Sequence, residues 1–374
     1  MRTADFDFEF PENLIAYHPK PRGEARMMVV DRLPQGEFPG GAGAYATRNL
    51  AVSPADEAVF SHARNLAEFL KAGDALVLND TRVLRARLIG ESAGGSRAEA
   101  LLLAPVPPSP SDSAEAASTR WLAMVKPGKR FGVGDKAFFS PLLVATVAEV
   151  LADGTRLLEF GLSPEAFHRE IESVGRIPLP PYIKRDASAE DAEAYQSVFA
   201  RNPGSVAAPT ASLHLTEAAL EEIRSRGVEI LKVTLHVGAG TFKPVQSENL
   251  EDHAMHSEAF IMAAETAEAL NAVRRRGGRI WAVGTTAARV LETRASGPGS
   301  DVFVPGAGET RIFIRPGYEW KGVDGLLTNF HWPKSTLFML VCSLLGVERA
   351  RKMYAEAFAR GFRLFSYGDA MLIR

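Results

Sequence analysis

Small, hydroxylated and imidazole side chains gather at a few glycine-containing turns of this sequence, more densely than core packing requires. GSVAAPTASLH runs from Gly204 to His214, TLHVGAGTF from Thr234 to Phe242, and HAMHSE from His253 to Glu258. VGTTAAR covers Val283 to Arg289, TNFHWPKST covers Thr328 to Thr336, and SYGDAM covers Ser366 to Met371. Five histidines stand in these polar stretches: His214, His236, His253, His256 and His331. Imidazoles donate to substrate oxygens or move protons near neutral pH. Loops carried on a rigid scaffold are where such chemistry concentrates.

Each cluster also has a plainer reading. A strand entering a helix through Gly284-Thr285-Thr286 would offer free N–H groups and the positive dipole end to a carboxylate or a phosphate; ordinary threonine capping explains the same residues. Gly238-Ala239-Gly240 lacks the third glycine of a dinucleotide fingerprint and is followed by Pro244, and the Gly128-Lys129 pair lacks the P-loop glycine at position 123. A zinc site would draw on His253 and His256 with His214 or His236, but no HExxH pattern or cysteine pair supports it. Asn79-Asp80-Thr81-Arg82 begins a turn after an apolar strand, or else lines a cleft. GRIPLPPYIKR, Gly175 to Arg185, is a stiff linker whose Tyr182, Lys184 and Arg185 would also suit RNA bases and phosphates. The Arg274–Arg276 triplet reads first as a solvated helix end and second as an RNA patch.

The elements that must position these residues change character along the chain. Between Asp74 and Phe160 the sequence predicts short strands at Ala75–Leu78, Ala98–Leu103, Trp121–Val125 and Leu142–Val150. Asp153-Gly154 supplies a tight hairpin turn, and the whole stretch predicts a small β-barrel or sandwich. After Ser163 helices and strands alternate. Ser163 and Thr216 read as N-caps, Gly227 as a helix stop, Ile280–Val283 as a short buried strand, and Thr286–Arg294 as a helix. Along the strand before His236, Val233, Leu235 and Val237 point one way, so Thr234 and His236 point the other. Alternating units imply an α/β layer or barrel with ligands at strand ends. The expected organisation is a discontinuous α/β domain, 1–70 and 161–374, with residues 71–160 inserted as a β-barrel.

Composition limits the rest. The 374 residues allow two domains, and a net charge of -2 means any nucleic acid must meet a local basic patch. One cysteine, Cys342, fits a reducing compartment, the N-terminus lacks an apolar signal core, and the apolar run Leu337–Val347 is too short to span a bilayer. A cytoplasmic monomer is the expectation. Residues 34–57, 105–118 and 295–309 read as embellishments without an assigned role.

Taken in order, NDTRV at 79–83, GRIPLPPYI at 175–183, GSVAAPTA, TLHVGAGTF, AVGTT, TNFHWPKST and SYGDAM resemble the S-adenosylmethionine:tRNA ribosyltransferase-isomerases. The opening FDFEFPENLIAYHP, with Arg22 and Arg26 after it, is similar too. Ser212, Leu215 and Ala287-Ala288 depart from the family pattern without removing a polar motif residue. The resemblance implies a barrel-like α/β main domain with an inserted β-barrel. It also implies transfer and isomerisation of the ribosyl part of S-adenosylmethionine onto 7-aminomethyl-7-deazaguanine at the tRNA wobble position. The product is epoxyqueuosine-tRNA, with release of adenine and methionine. S-adenosylmethionine is then a consumed co-substrate, and no metal or separate cofactor is implied. For that chemistry His214, His236, His331 and Asp369 are the acid–base candidates, with their individual steps open. Gly284, Thr285 and Thr286 are candidates for the methionine carboxylate. Asp80, Thr81, Arg82, Thr210, Thr234, Gly238, Gly240, His253, His256, Asn329, Lys334 and Tyr367 are candidates for other substrate contacts. Tyr182, Lys184 and Arg185 are the candidates for RNA.

Overall fold

The computed structural model describes residues 1–33, 58–107, 119–238, 240, 244–297, 299 and 301–374. The segment 34–57 and most of 105–118 lie outside the described residues, as do Ala239, Thr241, Phe242 and two positions of 295–309. In chain order the strands begin with β1 (Arg26–Val30), β2 (Val59–His62), β3 (Ala75–Asn79), β4 (Thr81–Val83), β5 (Arg87–Ser92) and β6 (Arg97–Val106). They continue with β7 (Thr119–Lys126), β8 (Lys136–Phe138), β9 (Val144–Val150), β10 (Arg156–Phe160), β11 (Asn202–Ser205) and β12 (Glu229–Leu235). The last are β13 (Glu258–Met262), β14 (Ile280–Val283), β15 (Gly306–Thr310), β16 (Gly325–Asn329) and β17 (Ala370–Ile373). The chain divides into two compact units, one of Met1–Thr81, Ser197–Asn202 and Pro209–Arg374, the other of Arg82–Gln196 and Pro203–Ala208.

The first unit is built on a nine-stranded mixed sheet in the order β15-β13-β12-β3-β14-β16-β17-β1-β2. β12, β3, β14 and β16 run parallel to one another, so their carboxyl ends fall on one edge. β17 is antiparallel to β16 and pairs Asn329 with Ala370, which brings Asp369 to that same edge. β1 runs parallel to β17 and begins there at Arg26. The sheet is covered on both faces. Leu76, Leu78, Trp281, Val283, Leu327 and Leu372 pack with Leu220 and Ile223 of the helix Glu217–Ser225. The helix Gly284–Arg294 is buried from Gly284 through Glu292.

Three expectations change here. The strand at Ala75–Asn79, grouped in the sequence with the inserted strands, lies in the middle of the nine-stranded sheet. Its continuous apolar run is what a parallel strand buried on both faces requires, and a run that short does not declare its sheet. The main domain was expected to be barrel-like; among the described residues its sheet is open, with β15 and β2 at the ends. The helix after β14 also starts at Gly284, two residues ahead of its expected start.

The second unit contains a closed six-stranded barrel, β10-β7-β6-β5-β8-β9, with antiparallel neighbours. The β9–β10 connection turns at Gly154, whose φ of 83° is the left-handed conformation expected of Asp-Gly. Ser163 caps the following helix, Pro164–Val174, by accepting from the Ala166 amide. Phe167 and Ile171 of that helix are fully buried, and Phe167 stacks on Trp121. An α/β main unit with a small β-barrel is therefore the observed fold class. No described helix is long and apolar enough to cross a membrane.

Gly325 tests the packing of the large sheet. A Cβ there would lie 2.2 Å from Cε3 of Trp281, and that ring is held by its Nε1 donating to Asp74 Oδ2 at 3.0 Å. Gly325→Ala should destabilise the fold by about 1–3 kcal/mol, the usual cost of overpacking a core that cannot yield. Urea unfolding monitored by tryptophan fluorescence checks it.

Candidate active site

Where several parallel strands stop together, their last backbone groups and the side chains just beyond them must find partners. At the end of β3 the fully buried Asn79 meets that need. Its Oδ1 accepts from the amides of Leu235 and Thr81, at 3.0 and 3.2 Å. Its Nδ2 donates to the Leu235 carbonyl and to Thr286 Oγ1, at 3.0 and 3.1 Å. Next to it Asp80 Oδ1 accepts from Thr234 Oγ1 at 2.7 Å and from Asn202 Nδ2 at 3.0 Å. Thr81 Oγ1 lies 2.9 Å from Nδ1 of His236 and 3.4 Å from the Asn202 carbonyl. Burial holds the His236 imidazolium below its ordinary range, partly opposed by the Asp80 charge.

A second group forms where β16 ends and β17 begins. Asn329 Oδ1 accepts from Thr210 Oγ1 at 3.0 Å, and its Nδ2 lies 3.0 Å from His214 Nε2 and donates to the Phe365 carbonyl at 3.0 Å. Phe365 has φ 69°, a conformation uncommon for a bulky residue, and stacks on Trp332 at 4.0 Å. Burial pushes His214 down to about 4, with the Asp369 charge opposing the shift. His331 Nε2 lies 2.7 Å from Thr328 Oγ1, and burial pushes that ring down to about 3. Asp369 is fully buried and accepts from the Arg26 and Arg363 amides at 2.9 and 2.8 Å, with Arg26 Nη2 at 3.1 Å and Lys20 Nζ at 3.5 Å. Burial alone would raise its pKa, but these amides and charges carry it below the usual carboxylate range.

The sequence-wide comparisons bear on this arrangement. A family model described as "Queuosine biosynthesis protein" matches residues 3–373. The chain belongs to this family. Curated S-adenosylmethionine:tRNA ribosyltransferase-isomerases of Desulforamulus reducens and Methylocella silvestris are 42% and 46% identical; each match covers 100% of this chain, and 100% and 98% of the relative. A crystal structure of the Thermotoga maritima S-adenosylmethionine tRNA ribosyltransferase is similar at 32% identity and a TM-score of 0.51, covering 99% of this chain and 100% of that one.

Within this queuosine biosynthesis family member, one sheet edge collects Asp80, Thr81, Thr210, Thr234, His236, Thr286, Asn329 and Asp369. Tyr367, also buried, offers its carbonyl to Arg363 Nη2. Gly284 and Thr285 open the buried helix, and the φ of 87° at Gly284 is a conformation that favours glycine. His253, His256 and Gly240 instead line a cavity of about 390 Å³ with Met255, Phe313 and Arg289. Gly238 donates to Glu258, which pairs with Arg289. Lys334 is paired with Asp7 at 2.7 Å. Among the described residues no group of three His, Cys, Asp or Glu side chains could hold a metal ion.

Arg82, Tyr182, Lys184 and Arg185 belong to the second unit. Arg185 makes a two-pronged pair with the buried Asp191, whereas Lys184 is exposed. Each arginine of the 274–276 triplet meets an acid: Asp324 for Arg274, Glu268 and Asp301 for Arg275, Glu229 for Arg276. Three residues not singled out from the sequence matter to the geometry. Asn79 lies beside Asp80, and Arg289 closes the VGTTAAR motif; only Asn202, at the start of β11, carries no local signal.

The two buried imidazoles give stability a pH dependence. Both folded pKa values are depressed, so each ring stays neutral in the fold while the unfolded chain takes up a proton near pH 6.5. Their stabilisation is fully present above about pH 6.5. It should fall between there and about pH 4, by about 1.4 kcal/mol per pH unit for each ring. Urea titrations at several pH values measure the slope, and a flat profile across that window would contradict it.

Proposed function

We propose that the chain transfers and isomerises the ribosyl part of S-adenosylmethionine onto 7-aminomethyl-7-deazaguanine at the wobble position of tRNA. Epoxyqueuosine-tRNA forms, and adenine and methionine leave. What carries this reading is the alignment of relatives named for that activity along the whole chain at 42–46% identity. S-adenosylmethionine is consumed as a co-substrate, and the reading uses no metal or separate cofactor. It extends to a cytoplasmic monomer, supported for its compartment by a single, buried cysteine.

The reaction needs a base for the proton on the carbon beside the sulfonium, and His236 is proposed for it. Thr81 occupies Nδ1. If the threonine proton goes to the Asn202 carbonyl, Nδ1–H donates to Thr81 and Nε2 keeps its lone pair for the substrate. Burial keeps the ring neutral at pH 7 with its Nε2 lone pair available, while Asp80, oriented by Thr234 and Asn202, favours the imidazolium that forms. His214 and His331, neutral and tied to Asn329 and Thr328, are proposed as hydrogen-bonding groups around the departing adenine. Asp369 is proposed to hold Arg26 and Lys20 in place, since its low pKa makes it a poor proton carrier. Gly284, Thr285 and Thr286, at the start of their helix, are proposed for the methionine carboxylate. Tyr182 and Lys184 are proposed for RNA contact, with Arg185 placed beside them by Asp191.

His236→Ala should lower turnover by roughly 10²–10⁴ if proton transfer limits the rate, with little change in melting temperature because the ring is only half-buried. Thr285→Ala should chiefly weaken donor affinity. Adenine release from S-adenosylmethionine with precursor tRNA, together with thermal melts, separates these outcomes. A destabilised but active His236→Ala would withdraw the base assignment.

Lys184→Ala should weaken tRNA binding and reduce its dependence on salt, leaving donor affinity unchanged. Arg185→Ala should also loosen the turn capped by Asp191. Filter binding across a salt series, beside donor titrations, reads both, and equal loss of RNA and donor binding would make this segment a linker only.

A further inference from the structure

The polar groups proposed for the base and for the carboxylate, and the threonine that meets the base, come from three stretches of chain: the start of β4 after β3, the end of β12 with the residue that follows it, and the helix Gly284–Arg294. One side chain touches all three. Asn79 is 0% exposed, and its carboxamide makes four hydrogen bonds, two accepted and two donated. A carboxamide has two donors and two acceptor lone pairs, so its capacity is fully used. Its acceptor side grips the Leu235 amide, next to His236, and the amide of Thr81, whose hydroxyl meets the His236 ring. Its donor side grips the Leu235 carbonyl and the Thr286 hydroxyl in the first turn of the helix.

We propose that Asn79 is a positioning residue that couples the two subsites, setting the His236 ring through Thr81 and the carboxylate-binding helix start through Thr286. The inference rests on the assignments of His236 and Gly284–Thr286 made above. It adds that the subsites are not independent, because the carboxamide is shared. No other standard side chain of this size supplies two donors and two acceptors from one planar group. Aspartate keeps the acceptor side and loses both donors. Asn79→Asp should therefore damage the helix side first, raising the KM for S-adenosylmethionine more than it lowers kcat. It should also move the acidic limb of the pH profile upward, because it places a carboxyl beside the imidazole. Asn79→Ala loses both sides and should lower kcat on the order of 10²-fold, the scale of a small misplacement of reacting groups, while raising KM.

The deciding experiment is a cycle that leaves Asn79 in place. Thr81→Val and Thr286→Val are made singly and together, and kcat, donor KM and donor affinity by calorimetry are measured on each. The nitrogen shifts of the His236 ring are followed by NMR in parallel. Coupling through one carboxamide predicts that Thr286→Val alone alters the His236 ring shifts, and that the double variant differs from the product of the single effects. Two results overturn the proposal: single effects that multiply with no change at the ring, or an Asn79→Asp protein that melts lower but keeps wild-type kcat, KM and pH profile. Adenine release by the wild-type protein tests the parent reading separately. If that fails, donor affinity and the ring shifts still show whether the coupling exists.

Discussion

Ending four parallel strands at one edge of a sheet creates a supply of backbone donors and acceptors that the sheet itself cannot consume. β12, β3, β14 and β16 all stop there, and the region is largely shielded from water, so side chains must take the place of the missing ladder. Asparagine suits that task because it presents a donor and an acceptor in one plane. Asn79 does so at the end of β3 and Asn329 at the end of β16. Once these two are fixed, the threonines and histidines around them inherit their positions. Thr81 and Thr286 hang from Asn79, while Thr210 and His214 gather at Asn329. The chemistry of the edge follows from a bonding need of the scaffold.

The sequence showed the parts of this that are local. Ser163 and Thr216 could be read as caps because a cap acts across three residues, and both accept the expected amides. The β12 pattern put His236 and Thr234 on the polar side, and these two side chains meet Thr81 and Asp80. Strand membership was less legible. ALVL at 75–78 has the same composition whether it closes a small barrel or fills a parallel sheet, and only its neighbours, far along the chain, decide. Asn202 was invisible for a related reason. Its value lies in reaching Asp80 and Thr234, which no local pattern encodes.

The five polar-setting histidines, alike in sequence, separate once burial and partners are known. His214 and His331 are enclosed and held neutral, His253 and His256 line a cavity, and His236 is half-buried with a carboxylate nearby. The arginines divide similarly. Arg26 serves a fully buried acid, whereas the Arg274–Arg276 triplet is distributed over surface acids and turn carbonyls. Surface ion pairs of that kind add little to stability, so the triplet is better understood as an ordinary helix end than as a reserved patch.

The chain leaves the large-sheet unit after Thr81 and first returns to it at Ser197, close to where it left. The Asp80 carbonyl accepts the amides of Arg201 and Asn202, at 2.8 and 3.1 Å, so departure and return are clasped to each other inside that unit. A clasp of this sort makes the intervening Arg82–Gln196 excursion a cassette. Closing a longer loop costs only a slowly growing, logarithmic amount of entropy. The length of the excursion can therefore change at little entropic cost while the Asp80 clasp stays the same.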